Sequence, residues 1–114
     1  MIDAASRLRL EDMLKHARLA RDILGSLSFD DVSANDEKRL ALERAVEVVG
    51  EAANFVSSSI QLAEPSVPWR DIIAMRHRLI HGYAAIDFGR LVRTVQEDIP
   101  PLIAELERIL NTGA

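Results

Sequence analysis

Apolar residues recur at three- and four-residue spacing through the first quarter of the chain, which is the spacing of one face of an α-helix. Between Arg7 and Leu27 the positions on this face are Leu10, Met13, Leu14, Ala17, Ala20, Leu24 and Leu27. Charged side chains fill many of the intervening positions, as on the solvent face of an amphipathic helix. We predict a first helix over this range and a connecting loop from Ser26 to Asn35.

A second amphipathic pattern follows, and its apolar arc is wider than that of the first. Ser33, Asn35 and Asp36 are each suitable N-caps, and the pair Asp36-Glu37 suits the positive end of a helix dipole. The pattern continues to about Ile60. A helix with so broad an apolar face packs against more than one neighbour, so we expect this helix to be central. Its apolar positions are Leu42, Ala45, Val46, Val49, Ala52, Ala53, Val56 and Ile60, with Val48 and Phe55 widening the arc.

Prolines end the second pattern and precede the third. Pro65 and Pro68 cannot lie in a helix interior, because proline lacks an amide hydrogen and clashes with the preceding turn. We predict a third helix from Trp69 to Ile80, with Gly82 placed to supply a left-handed C-terminal cap.

The last apolar pattern runs from Phe88 to Leu110 and keeps its register across Pro100-Pro101. A continued register favours a kinked helix, or two nearly collinear helices, over a long loop. The four patterns together predict an all-α antiparallel four-helix bundle with a proline-kinked last helix, in a single domain over residues 1–114.

Composition narrows the possible functions. The chain of 114 residues contains no cysteine, which excludes disulfide scaffolds and zinc–cysteine sites. It has neither a signal-peptide core nor an uncharged apolar run near the ~20 residues that span a bilayer, so we expect a soluble, cytoplasmic protein. The net charge of −4 argues against a generalised phosphate-binding surface. Any contact with nucleic acid is therefore expected to be local, or shared between subunits.

The third predicted helix carries an arginine inside its apolar stripe. Arg76 lies on the same face as the apolar residues of this helix, which are Ile72, Ile73, Met75, Leu79 and Ile80. Arginine is rarely buried without a partner, so Arg76 has to meet a carboxylate, an anion or a polar subunit interface. Two interpretations stay open, a structural ion pair with Glu51 or Glu47 and an anion-binding role. An arginine oriented by a carboxylate could fill both.

His81 follows Arg76 by five residues, which separates the two side chains by about 140° on an ideal helix. They could serve one ligand if the helix ended near Ile80 and Gly82 let His81 turn, or if two subunits of a symmetric dimer shared the site. Either arrangement combines a fixed cation with a group that titrates near neutrality. That combination suits the cleavage of a phosphodiester.

The spacing Arg76-x4-His81-x-Tyr83 resembles the Arg-x4-His-x-Tyr signature of HepT-like toxins in the HEPN superfamily. The resemblance covers most of the chain, because further segments look like that family's sequence in the same order. They are Val49-Gly50-Glu51-Ala52-Ala53, Val67-Pro68-Trp69-Arg70-Asp71-Ile72-Ile73-Ala74-Met75, Ile86-Asp87 and Asp98-Ile99-Pro100-Pro101-Leu102.

The resemblance implies a metal-independent endoribonuclease without a cofactor, the toxin of a toxin–antitoxin pair of type II or VII. It implies a homodimer whose two subunits line one cleft with Arg76 and His81, Arg76 binding phosphate and His81 acting as acid and base. It also implies an MNT-type nucleotidyltransferase antitoxin that transfers AMP to Tyr83. Glu51 and His77 are candidates to orient or support this site. On an acidic protein, two copies of this segment would supply the basic cleft that RNA needs, through Arg70, Arg76, His77, Arg78 and His81.

Other interpretations of the same residues stay open. His81 could be a capping or surface histidine, Tyr83 an aromatic packed at the helix end, and Glu51 part of a solvated acidic ridge. His77 and His81 have a spacing that can hold a metal, but no third ligand is evident and we expect no metal. For the whole protein, the alternatives are a catalytically inactive HEPN module that binds RNA or nucleotide, and a scaffold for the nucleotidyltransferase.

Overall fold

The computed structural model describes residues 2–81 and 87–112, and within these ranges the chain forms seven helices and no strand. The predicted all-α bundle is confirmed. None of the helices in the described ranges combines the length and the apolar character that crossing a bilayer requires. The helices are α1 Ala4–Leu24, α2 Phe29–Ser33, α3 Asp36–Asn54, α4 Ser58–Ala63, α5 Trp69–His81, α6 Phe88–Glu97 and α7 Ile99–Thr112.

The core lies between α1, α3 and α7. α1 packs along both α3 and α7, while α5 packs against the outer side of α3. The apolar stripes predicted for the first, second and last helices supply most of this core, as expected from their helical spacing. Its most deeply buried large side chains are Leu10, Met13, Leu42, Ile99, Leu106 and Ile109.

Side-chain caps fix where the helices begin. The carboxylate of Asp3 accepts a hydrogen bond from the backbone N–H of Ser6 at 2.7 Å, and Asn35 caps α3 by accepting from the N–H of Lys38 at 3.0 Å. Asn35 was one of the three N-caps predicted for this helix. Capping oxygens satisfy N–H groups that have no partner inside the helix, so these residues determine the first turn.

The structure corrects the predicted loop between the first two main helices. Residues 26–35 are not loop throughout, because α2 forms within them. Ser28 caps this short helix by accepting from the N–H of Asp31, and Val32 is fully buried against the core. A single turn with one buried residue is too short to produce a periodic pattern, so α2 could not be predicted from apolar spacing.

The second predicted helix also ends earlier than expected, at Asn54 rather than near Ile60. Asparagine and the serines at 57–59 compete with helical hydrogen bonds, and α4 begins as a separate helix at Ser58. Gln61 closes the break, because its Nε2 donates to the carbonyl oxygens of Ala53 and Val56 at 3.2 and 3.1 Å.

The last predicted helix is two helices, α6 and α7, divided at Asp98. Pro100 and Pro101 lie in the first turn of α7, where amide groups have no partner within the helix and proline removes no hydrogen bond. The sequence left a kinked helix and two nearly collinear helices open, and the structure has two helices. The expectation of one proline-kinked last helix is corrected, because the break falls at Asp98, before the prolines.

Candidate functional site

α5 rests on α3 and makes only minor contacts with the other helices. Of its described side chains, only Trp69 and Ile72 are buried, whereas Ile73, Met75 and Leu79 are half-buried. Trp69 fixes the start of the helix, because its Nε1 donates a hydrogen bond to the carbonyl oxygen of Glu64 at 3.0 Å. The helix that carries the signature is thus held from one side.

Gly50 of α3 explains how an arginine fits inside the apolar stripe of α5. A Cβ built on Gly50 would overlap the Cβ of Arg76, and it would lie 3.0 Å from the carbonyl oxygen of Ile72. The backbones of α3 and α5 therefore approach each other more closely than any side chain at position 50 would allow. The base of the Arg76 side chain occupies the space that this glycine leaves.

Arg76 lacks the ion pair that its burial led us to consider. Its Nε is buried without a hydrogen-bond partner, and among the described residues no ion pair joins Arg76 to Glu47 or Glu51. Glu47 instead pairs with Arg44 on its own helix. Glu51 is half-buried rather than fully solvated, one residue from the glycine that contacts Arg76. Its predicted orienting role stays a prediction, without a direct contact in the single chain.

The other signature residues are described only in part. α5 continues through His81, one residue beyond the predicted end, so its backbone directs positions 76 and 81 about 140° apart. The side chain of His81 lies outside the described part of the chain, as do Gly82 and Tyr83. His77 is exposed on α5.

Arg78 faces a different region from Arg76, because two helical residues rotate the direction of the side chain by about 200°. It lines a cleft of about 510 Å³ between α5 and the α6–α7 segment. The floor of the cleft is apolar and consists of Val49, Val67, Ile72, Met75, Ile99 and Leu102. Its polar walls include Asp71, Arg78, Arg90, Thr94, Asp98 and Glu105.

No group of three or more His, Asp or Glu side chains in the described residues is arranged to hold a metal ion. In the described part of the site Arg76 supplies a guanidinium, and position 81 at the end of α5 is a histidine. A guanidinium can bind phosphate oxygens, and an imidazole can carry a proton to or from them.

Two contributors to this region had no assigned role at the level of sequence. Gly50 belongs to a segment that resembles the HepT-like family, but its contact with Arg76 depends on how α3 and α5 cross. Arg90 gave no signal either, because its position opposite Arg78 follows from the break at Asp98 and the direction of α6. In each case the missing information is the packing of one helix on another.

The chain matches the family model described as ribonuclease HepT-like over residues 13–109. It is 33% identical over 100 residues to the "Probable ribonuclease HepT" of Thermococcus cleftensis, which covers 88% of this chain and 91% of the relative. It is 32% identical over 98 residues to "Putative RNase MJ1380" of Methanocaldococcus jannaschii, covering 86% of this chain and 90% of the relative. No solved structure gives a significant match.

Proposed function

The chain belongs to the ribonuclease HepT-like family, and we propose on that basis that it is an endoribonuclease that cleaves RNA without a metal ion. The observation that carries the proposal is the environment of the Arg76 side chain. Its Nε is buried and has no hydrogen-bond partner among the residues that the structure describes. A buried, charged donor without a partner is costly, and a phosphate oxygen of bound RNA would satisfy it.

The proposed reaction uses the 2′-hydroxyl of RNA as the nucleophile. His81 accepts the proton from this hydroxyl while the 2′-oxygen forms a bond to the neighbouring phosphorus. The bond from phosphorus to the 5′-oxygen breaks, and the leaving oxygen takes up a proton. Arg76 stabilises the negative charge that develops on the phosphate, and the products are a 2′,3′-cyclic phosphate and a 5′-hydroxyl end.

A homodimer would place the two groups at one phosphate. Positions 76 and 81 are separated by about 140° around one helix, so Arg76 of one subunit would act with His81 of the other. The half-buried Ile73 and Leu79 leave apolar surface on α5 that a second subunit could cover. Two copies of the segment would also concentrate positive charge in an acidic protein.

Regulation in this proposal is covalent. An MNT-type nucleotidyltransferase antitoxin would transfer AMP to the hydroxyl of Tyr83, two residues after His81. The added adenylate carries bulk and a negative charge, which would occupy the cleft and compete with RNA for Arg76. The chain would then be the toxin of a toxin–antitoxin pair. Tyr83→Phe would remove the acceptor hydroxyl and leave cleavage intact.

The experiment compares Arg76→Ala and His81→Ala with Arg21→Ala, a control that removes an exposed arginine at the far end of α1. Purified protein is incubated with RNA in EDTA, and the ends are analysed for cyclic phosphate. We expect wild type and Arg21→Ala to cleave, and the two site variants to lose at least ~100-fold in rate with unchanged circular dichroism. Undiminished cleavage by both site variants would reject the assignment, and binding of RNA without any cleavage by wild type would favour the inactive module.

Mixing the two inactive variants tests the shared site. If Arg76 and His81 act across the dimer, a mixed dimer retains one complete site, and unfolding and refolding the two variants together restores measurable cleavage. Sedimentation at micromolar concentration checks the dimer directly. A monomer, or a mixture without activity alongside active refolded wild type, would contradict the shared site.

A further inference from the structure

The cleft between α5 and α6–α7 carries opposite charges at its two ends. Asp71 lies in the first turn of α5 and Arg78 two turns later, about 10 Å along the helix axis. α6 begins seven residues after α5 ends, and consecutive helices of an antiparallel bundle run in opposite directions. We therefore place Arg90, near the start of α6, toward the Arg78 end of the cleft that both line. Asp98, just past the end of α6, lies toward the Asp71 end.

These four side chains keep their charges available to a ligand. Within residues 2–81 and 87–112, none of the ion pairs includes Asp71, Arg78, Arg90 or Asp98. The fifth charged residue of the cleft differs, because Glu105 accepts hydrogen bonds from Arg108.

The hydrogen bonds from Arg108 and Ser66 hold the pKa of Glu105 below its ordinary value. Arg108, which also pairs with Glu64, partly balances the negative charge of Glu105. The effective pattern is two arginines at one end and two aspartates at the other.

The size and floor of the cleft suit a small planar ligand. Its volume of about 510 Å³ lies within the ~300–1,000 Å³ typical of ligand sites. Met75, Ile99 and Leu102 form part of an apolar floor between the charged ends. The thioether of Met75 can pack against an aromatic ring, since sulfur–aromatic contacts are favourable.

We propose that this cleft is a nucleotide subsite of the RNA-cleaving centre, an inference that rests on the function proposed above. Arg78 and Arg90 would bind the phosphate at the end of α5 that carries His81, and the base would lie on the floor beside Met75. Asp71 and Asp98 would meet the edge of the base.

The two aspartates determine which bases fit. An ionised carboxylate only accepts hydrogen bonds, so it pairs with the exocyclic amino groups of adenine, cytosine and guanine. Uracil has no exocyclic amino group. Its single donor on this edge, N3–H, lies between two carbonyl oxygens, which would face the carboxylates unfavourably. The subsite should therefore prefer an amino-bearing base to uracil by about tenfold, the value of one hydrogen bond.

Methyl NMR of protein labelled at methionine tests this with an internal control. Met75 lines the cleft, whereas Met13 is fully buried on α1. AMP and CMP should shift the Met75 signal and leave Met13 unchanged, and UMP should bind about tenfold more weakly. No movement of Met75 with any of the three nucleotides would overturn the subsite, and equal affinity for UMP would overturn its base selection.

Variants separate the two ends of the cleft. Arg78→Ala with Arg90→Ala should weaken AMP binding at least tenfold, since each charged hydrogen bond contributes that much. Arg93→Ala removes an exposed arginine of α6 that does not line the cleft, and AMP binding should be unchanged. If Arg93→Ala lost as much affinity for AMP, the effect would come from the net charge of the protein, and the site would be overturned. Asp71→Asn with Asp98→Asn should narrow the preference for AMP over UMP, because asparagine can also donate.

The result is independent of the catalytic assignment. Arg76→Ala should abolish cleavage but still let AMP shift Met75, because Arg76 faces the other side of α5. If wild type shifts Met75 with AMP but cuts no RNA, the proposed function fails and the subsite stands. If wild type cuts RNA but Met75 does not respond, the subsite fails alone.

Discussion

The helices α1 and α5 are both amphipathic, yet they are held in the molecule in different ways. α1 buries Leu10, Met13, Ala17 and Ala20 completely, between α3 on one side and α7 on the other. α5 rests on α3 and leaves most of its apolar residues half-buried. The first arrangement supplies stability, and the second leaves reactive side chains and apolar surface accessible to a ligand or a second subunit.

The contrast also appears in how the polar groups are satisfied. On α1, the hydroxyl of the buried Ser6 accepts a hydrogen bond from the N–H of Ser57 at 3.0 Å. On α5, the buried Nε of Arg76 has no partner in the described chain. Unsatisfied buried polar groups are few in proteins, and a bound ligand is one explanation for them. Under the proposed function, α1 supplies stability and α5 supplies the chemistry. Substitutions on the two helices test this division.

The largest expected difference in stability is between alanine substitutions at two methionines, Met13 and Met75. Met13→Ala removes a fully buried side chain from α1 and should lower the free energy of unfolding by about 2–5 kcal/mol through a cavity. Met75→Ala on the half-buried face of α5 should cost about 1 kcal/mol or less. Urea denaturation of both variants measures the difference. Equal losses at the two positions would show that α5 belongs to the core after all.

The same substitution at two glycines gives the next contrast. Gly50→Ala would force α5 away from α3 and should cost about 1–2 kcal/mol, because overpacking outweighs the better helix propensity of alanine. It should also slow RNA cleavage by displacing Arg76. Gly89→Ala on α6 places its Cβ 3.4 Å from the nearest atom, an ordinary contact, and should raise stability by about 0.5–1 kcal/mol.

Thermal denaturation and cleavage rates measure both glycine variants. The contact between Gly50 and Arg76 predicts that only Gly50→Ala changes the rate. A Gly50→Ala protein of unchanged stability and activity would contradict the tight α3–α5 approach.

The smallest expected effect is the pH-dependent contribution of Glu105, at the edge of the cleft, to stability. The pKa of Glu105 lies below its ordinary value of 4.5 because Arg108 and Ser66 donate hydrogen bonds to it. A depressed folded-state pKa means that this contribution is complete above pH 4.5 and disappears as the pH falls below that value. Glu105→Gln should therefore lower stability slightly at pH 7 and not at strongly acid pH, since exposed pairs contribute little. Denaturation at both pH values is the test, and a larger loss in acid would contradict it.

The sequence predicted the main helices because their apolar positions repeat with a helical period. Prolines placed the breaks before Trp69 and near Asp98 for the same reason that they disrupt helices anywhere. The end of α3 at Asn54 was missed, since Val56 and Ile60 continue the apolar period through the gap. Val56 is buried in the connection after α3, and Ile60 is buried within α4, so the apolar pattern continues past the end of α3.

The sequence also identified Arg76 as a charge among apolar neighbours, but not how it is accommodated. An ion pair with Glu47 or Glu51 was the simplest expectation, and neither carboxylate forms it in the described chain. The space comes from Gly50, and a glycine in a helix has no signature that reveals what lies opposite. Crossing geometry, and with it the cleft beside Arg78, could not be predicted from one-dimensional periodicity.

The division at Asp98 determines how far one stretch of chain can reach. An unbroken helix over residues 88–112 would be a straight rod of about 37 Å, nearly the 44 Å long dimension of the molecule. Such a rod could follow only one direction. Cut in two, the second portion closes over α1, where Arg7 donates to the carbonyl oxygen of Leu110 and Arg18 pairs with Glu107. α6, separated from α7 at Asp98, lines the cleft beside α5 through Arg90 and Thr94.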